Sequence, residues 1–206
     1  DSVRRLIEVK LDPSALPKQP FRYASVPLTA LRMLPRKCRK GPVQAGQCNV
    51  SQLPMIHCWP RDGGAFITLP QVLSQAPGEE ANLMQVNLGM YRIQLSGNDY
   101  VPDREVGMHY QIHRGIGVHH RAALDQGQPL RVAITVGGSP AMSLAAVMPL
   151  PEGLTELTFA GALAGRRIRM IRGQHAPVYA DADFAIIGTI DPNCTKPEGP
   201  FGDHLG

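Results

Sequence analysis

Residues 91–96, Tyr91-Arg-Ile-Gln-Leu-Ser96, alternate apolar and polar side chains. A period of two puts Tyr91, Ile93 and Leu95 on one face and Arg92, Gln94 and Ser96 on the other. That pattern commits the middle of the chain to a half-buried strand, and so to a sheet. A second strand is expected in Met108-His-Tyr-Gln-Ile-His-Arg-Gly115. Four strong hydrogen-bonding groups lie in or beside these strands: Asn87, Arg92, His113 and Arg114. Burying such groups is costly unless something polar meets them. An anionic cofactor or a metal–phosphate unit would do so. On spacing alone, polar residues on the outer face of a half-buried sheet account for them too.

Composition points the same way. The 206 residues include 21 Gly and 19 Pro, and only 18% are charged. That favours a loop-rich β or α+β chain over a helical bundle. The net charge of +4 is concentrated at Arg32-Met-Leu-Pro-Arg-Lys-Cys-Arg-Lys40, but only 5% of residues are aromatic. Without a base-stacking platform, a nucleic-acid site is not expected. A solvated arm or a contact with an acidic partner fits the cluster better. Cys38, Cys48, Cys58 and Cys194 form no CxxC and no zinc spacing. No signal peptide is expected, and no apolar run is long enough to span a bilayer. A reduced, cytoplasmic protein is expected. The chain begins at Asp1 and stops at Gly206, and both ends are expected to be cut from something longer.

Residues 2–9 read as a short helix. Prolines recur at 13, 17, 20, 27 and 35, which argues against a long regular element. Residues 1–50 are therefore expected to be a Pro-rich, basic arm or linker, and 51–206 a domain. Residues 53–60 form an extended apolar run, and Arg61-Asp-Gly-Gly64 a turn. Strands are expected at 65–69, 84–95, 130–136, 168–171 and 184–190, with a helix within 113–125. Gly137-Gly-Ser-Pro-Ala141 opens a buried helix, with Ser139 as N-cap and Pro140 at its first position. Thr155 caps a second helix over 156–163, with Glu156 in the first turn, and Gly165 closes it. Gly137-Gly138 is neither GxGxxG nor a P-loop and reads as a tight turn. No G-x-S-x-G occurs, so a serine hydrolase is set aside. His119-His120 reads as a helix surface pair rather than a metal site.

Six segments taken together carry more information. Leu53-Pro-Met-Ile-His-Cys-Trp-Pro60, Asn87-Leu-Gly-Met-Tyr-Arg92, Ile112-His-Arg-Gly115, Val147-Met-Pro-Leu-Pro-Glu-Gly153, Phe159-Ala-Gly-Ala-Leu-Ala-Gly165 and Glu198-Gly-Pro-Phe-Gly-Asp-His204 follow in order. In this set the chain resembles the UbiD family of prenylated-flavin-dependent decarboxylases, from about Arg39 to Gly206. The resemblance implies a mainly β fold with peripheral helices (α+β), namely the family's FMN-binding split β-barrel. It implies prenylated FMN as cofactor, held through Mn²⁺ or another divalent cation with K⁺ nearby. Asn87, His113 and Glu156 match the metal ligands. Gly89, Met90, Tyr91, Met148 and Pro149 join them in lining the flavin, and Arg92 matches the arginine that faces it and pairs with a catalytic carboxylate.

An amide oxygen, an imidazole and a carboxylate suit such a cation. In one regular strand, however, Asn87 and Arg92 would face opposite ways. Either Gly89 marks a bulge or the cofactor wraps the strand end. For the catalytic carboxylate the resemblance points to Tyr179-Ala-Asp-Ala-Asp-Phe-Ala-Ile-Ile-Gly188, with Asp183 in the first position and Ile187 where a second carboxylate is usual. Asp183 is then expected beside Arg92.

The implied reaction is reversible, non-oxidative decarboxylation of an aromatic, and with Asp183 a hydroxylated, or unsaturated acid. CO₂ is the co-product, and a flavin prenyltransferase supplies the cofactor. The alternative is a non-catalytic flavin-binding or assembly subunit that lost its proton relay at Ile187. Members of the family are longer, so other domains, subunits or further copies are expected to complete the site. The segment alone is expected to be a poor catalyst.

Overall fold

The computed structural model describes residues 2–79, 82–113, 115–150, 154–172 and 176–202. Three short helices come first, α1 (Ser2–Leu11), α2 (Ala15–Lys18) and α3 (Val26–Met33), then β1 (Arg36–Cys38). Five strands follow: β2 (Phe66–Ile67), β3 (Gln71–Ser74), β4 (Asn87–Gly89), β5 (Ile93–Gln94) and β6 (Gly107–Met108). Next come α4 (Gly115–Asp125), β7 (Leu130–Val136), α5 (Pro140–Val147) and α6 (Glu156–Ala164). The described chain closes with β8 (Arg169–Arg172), β9 (Pro177–Tyr179) and β10 (Phe184–Ile190).

The organising layer is a four-stranded antiparallel sheet in the order β10-β7-β3-β4. Its register pairs Val72 with Ile134 and Leu73 with Ala133. The period of two therefore sends these pairs to opposite faces. Leu73, Leu88 and Ala133 pack with Met142, Ala145, Leu157 and Ala160 of α5 and α6. Val72, Val132 and Ile134 pack with Ile93, Leu95 and Ile116 on the other side. Two three-stranded sheets flank it: β2-β5-β6, and β1-β8-β9 with β1 parallel to β8. The fold is mainly β with peripheral helices, as the resemblance implied. Among the described residues no helix is long and apolar enough to cross a membrane.

The strand expected over 84–95 is instead three pieces. A 3-10 turn (Leu83–Gln85) precedes β4, and β4 and β5 belong to different sheets. The break follows Gly89, where a Cβ would lie 2.4 Å from the Tyr91 hydroxyl oxygen. The tyrosine folds back over the glycine, and residues 90–92 carry the chain across. The strand expected from Met108 onward is only β6, and 109–112 is irregular.

The segment expected as an arm over 1–50 is folded against the rest. Pro17 and Pro27 lie in the first turns of α2 and α3, where a missing N–H costs nothing. α3 packs on α6, and a Cβ on Gly161 would sit 2.5 Å from the Arg32 carbonyl oxygen. Gly161→Ala should therefore lower stability by about 1–3 kcal/mol in urea unfolding and speed hydrogen exchange in α3 first. Unchanged stability would mean that α3 does not dock there.

Residues 53–60 have no regular structure. Beside them lies an apolar cleft of about 290 Å³, lined among others by Leu53, Ile56, Phe66, Leu95, Ile134 and Phe184.

Candidate functional site

Two of the three expected cation ligands lie at β4, Asn87 on the strand and Glu156 against its backbone, and the third, His113, precedes α4 in the chain. β4 is an edge strand, so its outer backbone groups are free to meet a side chain. Glu156, in the first turn of α6, accepts the Leu88 backbone N–H and its own. Burial raises its pKa, and these two donors oppose the rise. Asn87 turns its amide Oδ1 toward Gly115, so closely that a Cβ there would lie 1.9 Å away. His113 is exposed, two residues before Gly115 at the entrance to α4. Among the described residues no three His, Cys, Asp or Glu cluster as a metal site. The expected set has two such residues and an amide. A half-buried carboxylate at the edge of β4 and an amide oxygen held where a Cβ on Gly115 would sit are donor types that fit a hard-to-borderline cation carrying phosphate. The first turn of α6 adds a field that favours an anion.

Burial raises the folded-state pKa of Glu156 above its unfolded value. In cation-free protein its contribution to stability is therefore present at low pH and lost as pH rises through the raised pKa. Glu156→Gln should gain stability relative to the parent between the ordinary carboxylate range and neutral pH. Mn²⁺ affinity of the parent should rise over the same window, because binding expels the proton. Parallel pH–stability curves for parent and variant would contradict this.

Arg92 lies in the crossover between β4 and β5. Its Nε and Nη2 donate to the two carboxylate oxygens of Glu198, each at 2.7 Å. Its guanidinium also stacks over Phe201, 4.7 Å from the ring centroid. The Glu198 side chain is only 11% exposed, so this bidentate pair is largely shielded from water.

The segment bearing Glu198 is clamped at several points. Buried Gln94 accepts the Gly199 N–H at 2.8 Å. Asn98 Nδ2 donates to the carbonyls of Pro197 and Gly199, both at 3.0 Å, and Tyr100 Oη donates to Pro197 at 2.8 Å. On the far side Gly63 N–H donates to the Pro200 carbonyl, and Asp62 accepts from Gly202. Gln94 is thus fully buried where the alternating pattern had placed it on a polar face. Its side chain is needed inside to hold this loop.

Asp183 is not Arg92's partner. It is exposed beside the β7–α5 turn, where a Cβ on Gly137 would lie 1.8 Å from its Oδ2. Ile187 is 46% exposed on β10. Among the described residues the carboxylate on Arg92 is that of Glu198, which reaches it because the chain after β10 folds back over β5. The Glu198-Gly-Pro-Phe-Gly-Asp-His204 segment carried this signal. Asp181 pairs with Arg169 at 2.8 Å. Gly89 is buried under Tyr91, and Met148 and Pro149 are exposed just after α5.

His119 and His120 are not a surface pair. His119 Nδ1 lies 3.0 Å from Ser74 Oγ, and His120 Nδ1 lies 2.7 Å from Tyr110 Oη. Both glycines of the Gly137-Gly138 turn have positive φ (81° and 77°), and Tyr179 Oη accepts the Ser139 N–H. Arg114 and residues 151–153 and 203–204 of the resembling segments lie outside the described residues.

The UbiD family profile, described as "3-octaprenyl-4-hydroxybenzoate carboxy-lyase Rift-related domain", matches residues 34–206. The chain belongs to the UbiD family. A Chlamydia pneumoniae protein, named as one subunit of a 4-hydroxybenzoate decarboxylase, is 36% identical over 182 residues, covering 87% of this chain and 30% of that protein. An uncharacterized Chlamydia trachomatis protein is 38% identical over 184 residues, with the same two shares. This UbiD segment thus spans about 30% of the length of these curated relatives.

Among solved structures, the vanillic acid decarboxylase of Sedimentibacter hydroxybenzoicus (ShVdcCD, closed form) superposes with a TM-score of 0.72 at 27% identity. That match covers 85% of this chain and 39% of that one. The UbiD-class enzyme HmfF from Pelotomaculum thermopropionicum, solved with FMN, gives 0.67 at 26% identity over 86% and 41%.

Proposed function

We propose that this chain is the flavin-binding part of a UbiD-type carboxy-lyase that reversibly decarboxylates a hydroxylated aromatic acid. The observation that carries the reading is the clamped Arg92–Glu198 pair, a few residues from the Asn87–Glu156 cradle. When bound, prenylated FMN supplies an electron sink for the pair left as CO₂ departs. Asn87, His113 and Glu156 would hold Mn²⁺ on the flavin phosphate, with K⁺ as companion ion and Met148 and Pro149 against the flavin. Arg92 fixes the carboxylate of Glu198 through two parallel bonds. Glu198 delivers a proton to the ring carbon that loses CO₂ and regains one from solvent, so that each turnover consumes one proton. In the carboxylation direction it removes that proton. The role expected of Asp183 passes to Glu198.

The reading as a subunit without a proton relay rested on Ile187. With Glu198 on Arg92, the side chain at 187 does not bear on the pair. Further domains or subunits are expected to complete the pocket, in keeping with a relative named as a subunit. The test is exchange of [¹³C]bicarbonate into the carboxyl group of 4-hydroxybenzoate and related hydroxylated acids. The assembled enzyme would be loaded by a co-expressed flavin prenyltransferase. Exchange that depends on the prenylated cofactor is expected. Its absence with every acid, in protein shown by mass to hold the cofactor, would overturn the reading.

A further inference from the structure

Asn87 can serve a cation only with its oxygen outward, and an amide can sit either way round. The side chains behind it decide which. Ser74 is the cross-strand neighbour of Asn87 in the β3–β4 register, so the two side chains share a face. Asn87 Nδ2 donates to Ser74 Oγ at 3.4 Å. Ser74 is fully buried, and its Oγ lies 3.0 Å from His119 Nδ1. His119 stands one turn after Gly115 on α4, so both face β4 from the same side of the helix. Gly115 meets Asn87 Oδ1, while His119 meets the serine behind it.

We propose that Ser74 and His119 are positioning residues that set the polarity of the Asn87 amide, and so present its oxygen to the cation. This rests on the cation reading given above. A hydroxyl has one proton to give. With His119 Nδ1 accepting that proton, Ser74 must accept from Asn87, which draws Nδ2 inward and leaves Oδ1 toward Gly115. With a proton on Nδ1 the serine would donate to Asn87 instead. The amide would then turn and offer its NH₂ end, which cannot bind a cation. Burial lowers the His119 pKa, which agrees with a neutral ring. Partners behind a metal ligand of this kind are typically worth about 10- to 100-fold in metal affinity.

The test uses the full chain and two readouts. The first, without metal, is the Asn87 side-chain amide signal in ¹⁵N NMR, assigned by its loss in Asn87→Asp. Slow exchange is expected in the parent, faster exchange and a changed shift in Ser74→Ala and His119→Leu, and recovery in His119→Asn, whose amide oxygen can stand where Nδ1 does. The second is Mn²⁺ affinity by electron paramagnetic resonance, expected to fall about 10- to 100-fold in Ser74→Ala and His119→Leu and to recover in His119→Asn.

An unchanged Asn87 signal in Ser74→Ala, a mild substitution that tests the pair even if His119→Leu does not fold, would overturn the proposal. So would an altered signal with unaltered Mn²⁺ affinity. If the parent binds no Mn²⁺, the cation reading fails, and with it the stated purpose of the pair. The amide signal then reports separately whether the hydrogen-bond chain exists.

Discussion

Glu198→Gln should slow carboxyl exchange by at least about 100-fold, the lower end of what a positioned acid–base group contributes. Glutamine keeps the length and shape of the side chain. It loses the charge that faces Arg92 and the ability to carry a proton to carbon. The loop should stay in place, because its anchors act on the backbone of Pro197, Gly199 and Pro200 rather than on the Glu198 side chain. Flavin retention should accordingly stay close to that of the parent, because the residues expected to hold the flavin phosphate, Asn87, His113 and Glu156, are untouched by the change. Asp183→Asn is the comparison. If the Glu198 variant exchanges at the parent rate while the Asp183 variant is slow, the proton carrier is Asp183.

Gly115→Ala should cost about 10- to 100-fold in Mn²⁺ affinity, as loss of ligand orientation does elsewhere, and with it the retained flavin. The new Cβ would lie 1.9 Å from Asn87 Oδ1, so the amide must leave. Gly115 is not among the glycines with positive φ, and it is the first residue of α4. Alanine is the better helix former by roughly 1 kcal/mol in helix interiors, so the backbone has no objection to the change. The expected signature is cation binding lost while thermal stability falls little. A glycine needed only for packing would lose stability and keep its affinity for Mn²⁺.

Much of this could be read before any coordinates. Leu130–Val136, Pro140–Val147 and Phe184–Ile190 lie where alternation, Ser139-Pro140 and β-branched runs placed them. Thr155 caps α6 by accepting the Thr158 N–H, and Gly165 ends it with φ 62°. Asn87 and Glu156 are paired only by the resemblance, while their local settings, a strand and a first helical turn, were legible.

What escaped were the long-range decisions. Nothing local in 84–95 tells that Tyr91 folds over Gly89 and splits one strand between two sheets. The prolines of 11–35 read as breakers because they were not matched to first helical turns. The resemblance places Asp183, just before a strand, on Arg92, whereas the carboxylate that reaches it lies in the loop that follows β10. A chain return of 106 positions in sequence separates Arg92 from Glu198. The Glu198–His204 segment and the polar residues that clamp the return, Gln94, Asn98 and Tyr100, are the signs of it. The helix alone gives no sign of the role of His119, because its partner Ser74 is 45 positions away.

The proposed site at the end of β4 would hold a cation on a flavin phosphate beside Arg92 and Glu198. The most direct measurement is the visible spectrum and intact mass of the cofactor carried by protein purified after co-expression with a flavin prenyltransferase in the presence of Mn²⁺. Prenylated FMN with Mn²⁺ is expected on the parent, and neither on Glu156→Ala, whose circular dichroism should match the parent. A parent without flavin, or a Glu156→Ala protein that retains flavin as well as the parent does, would contradict it.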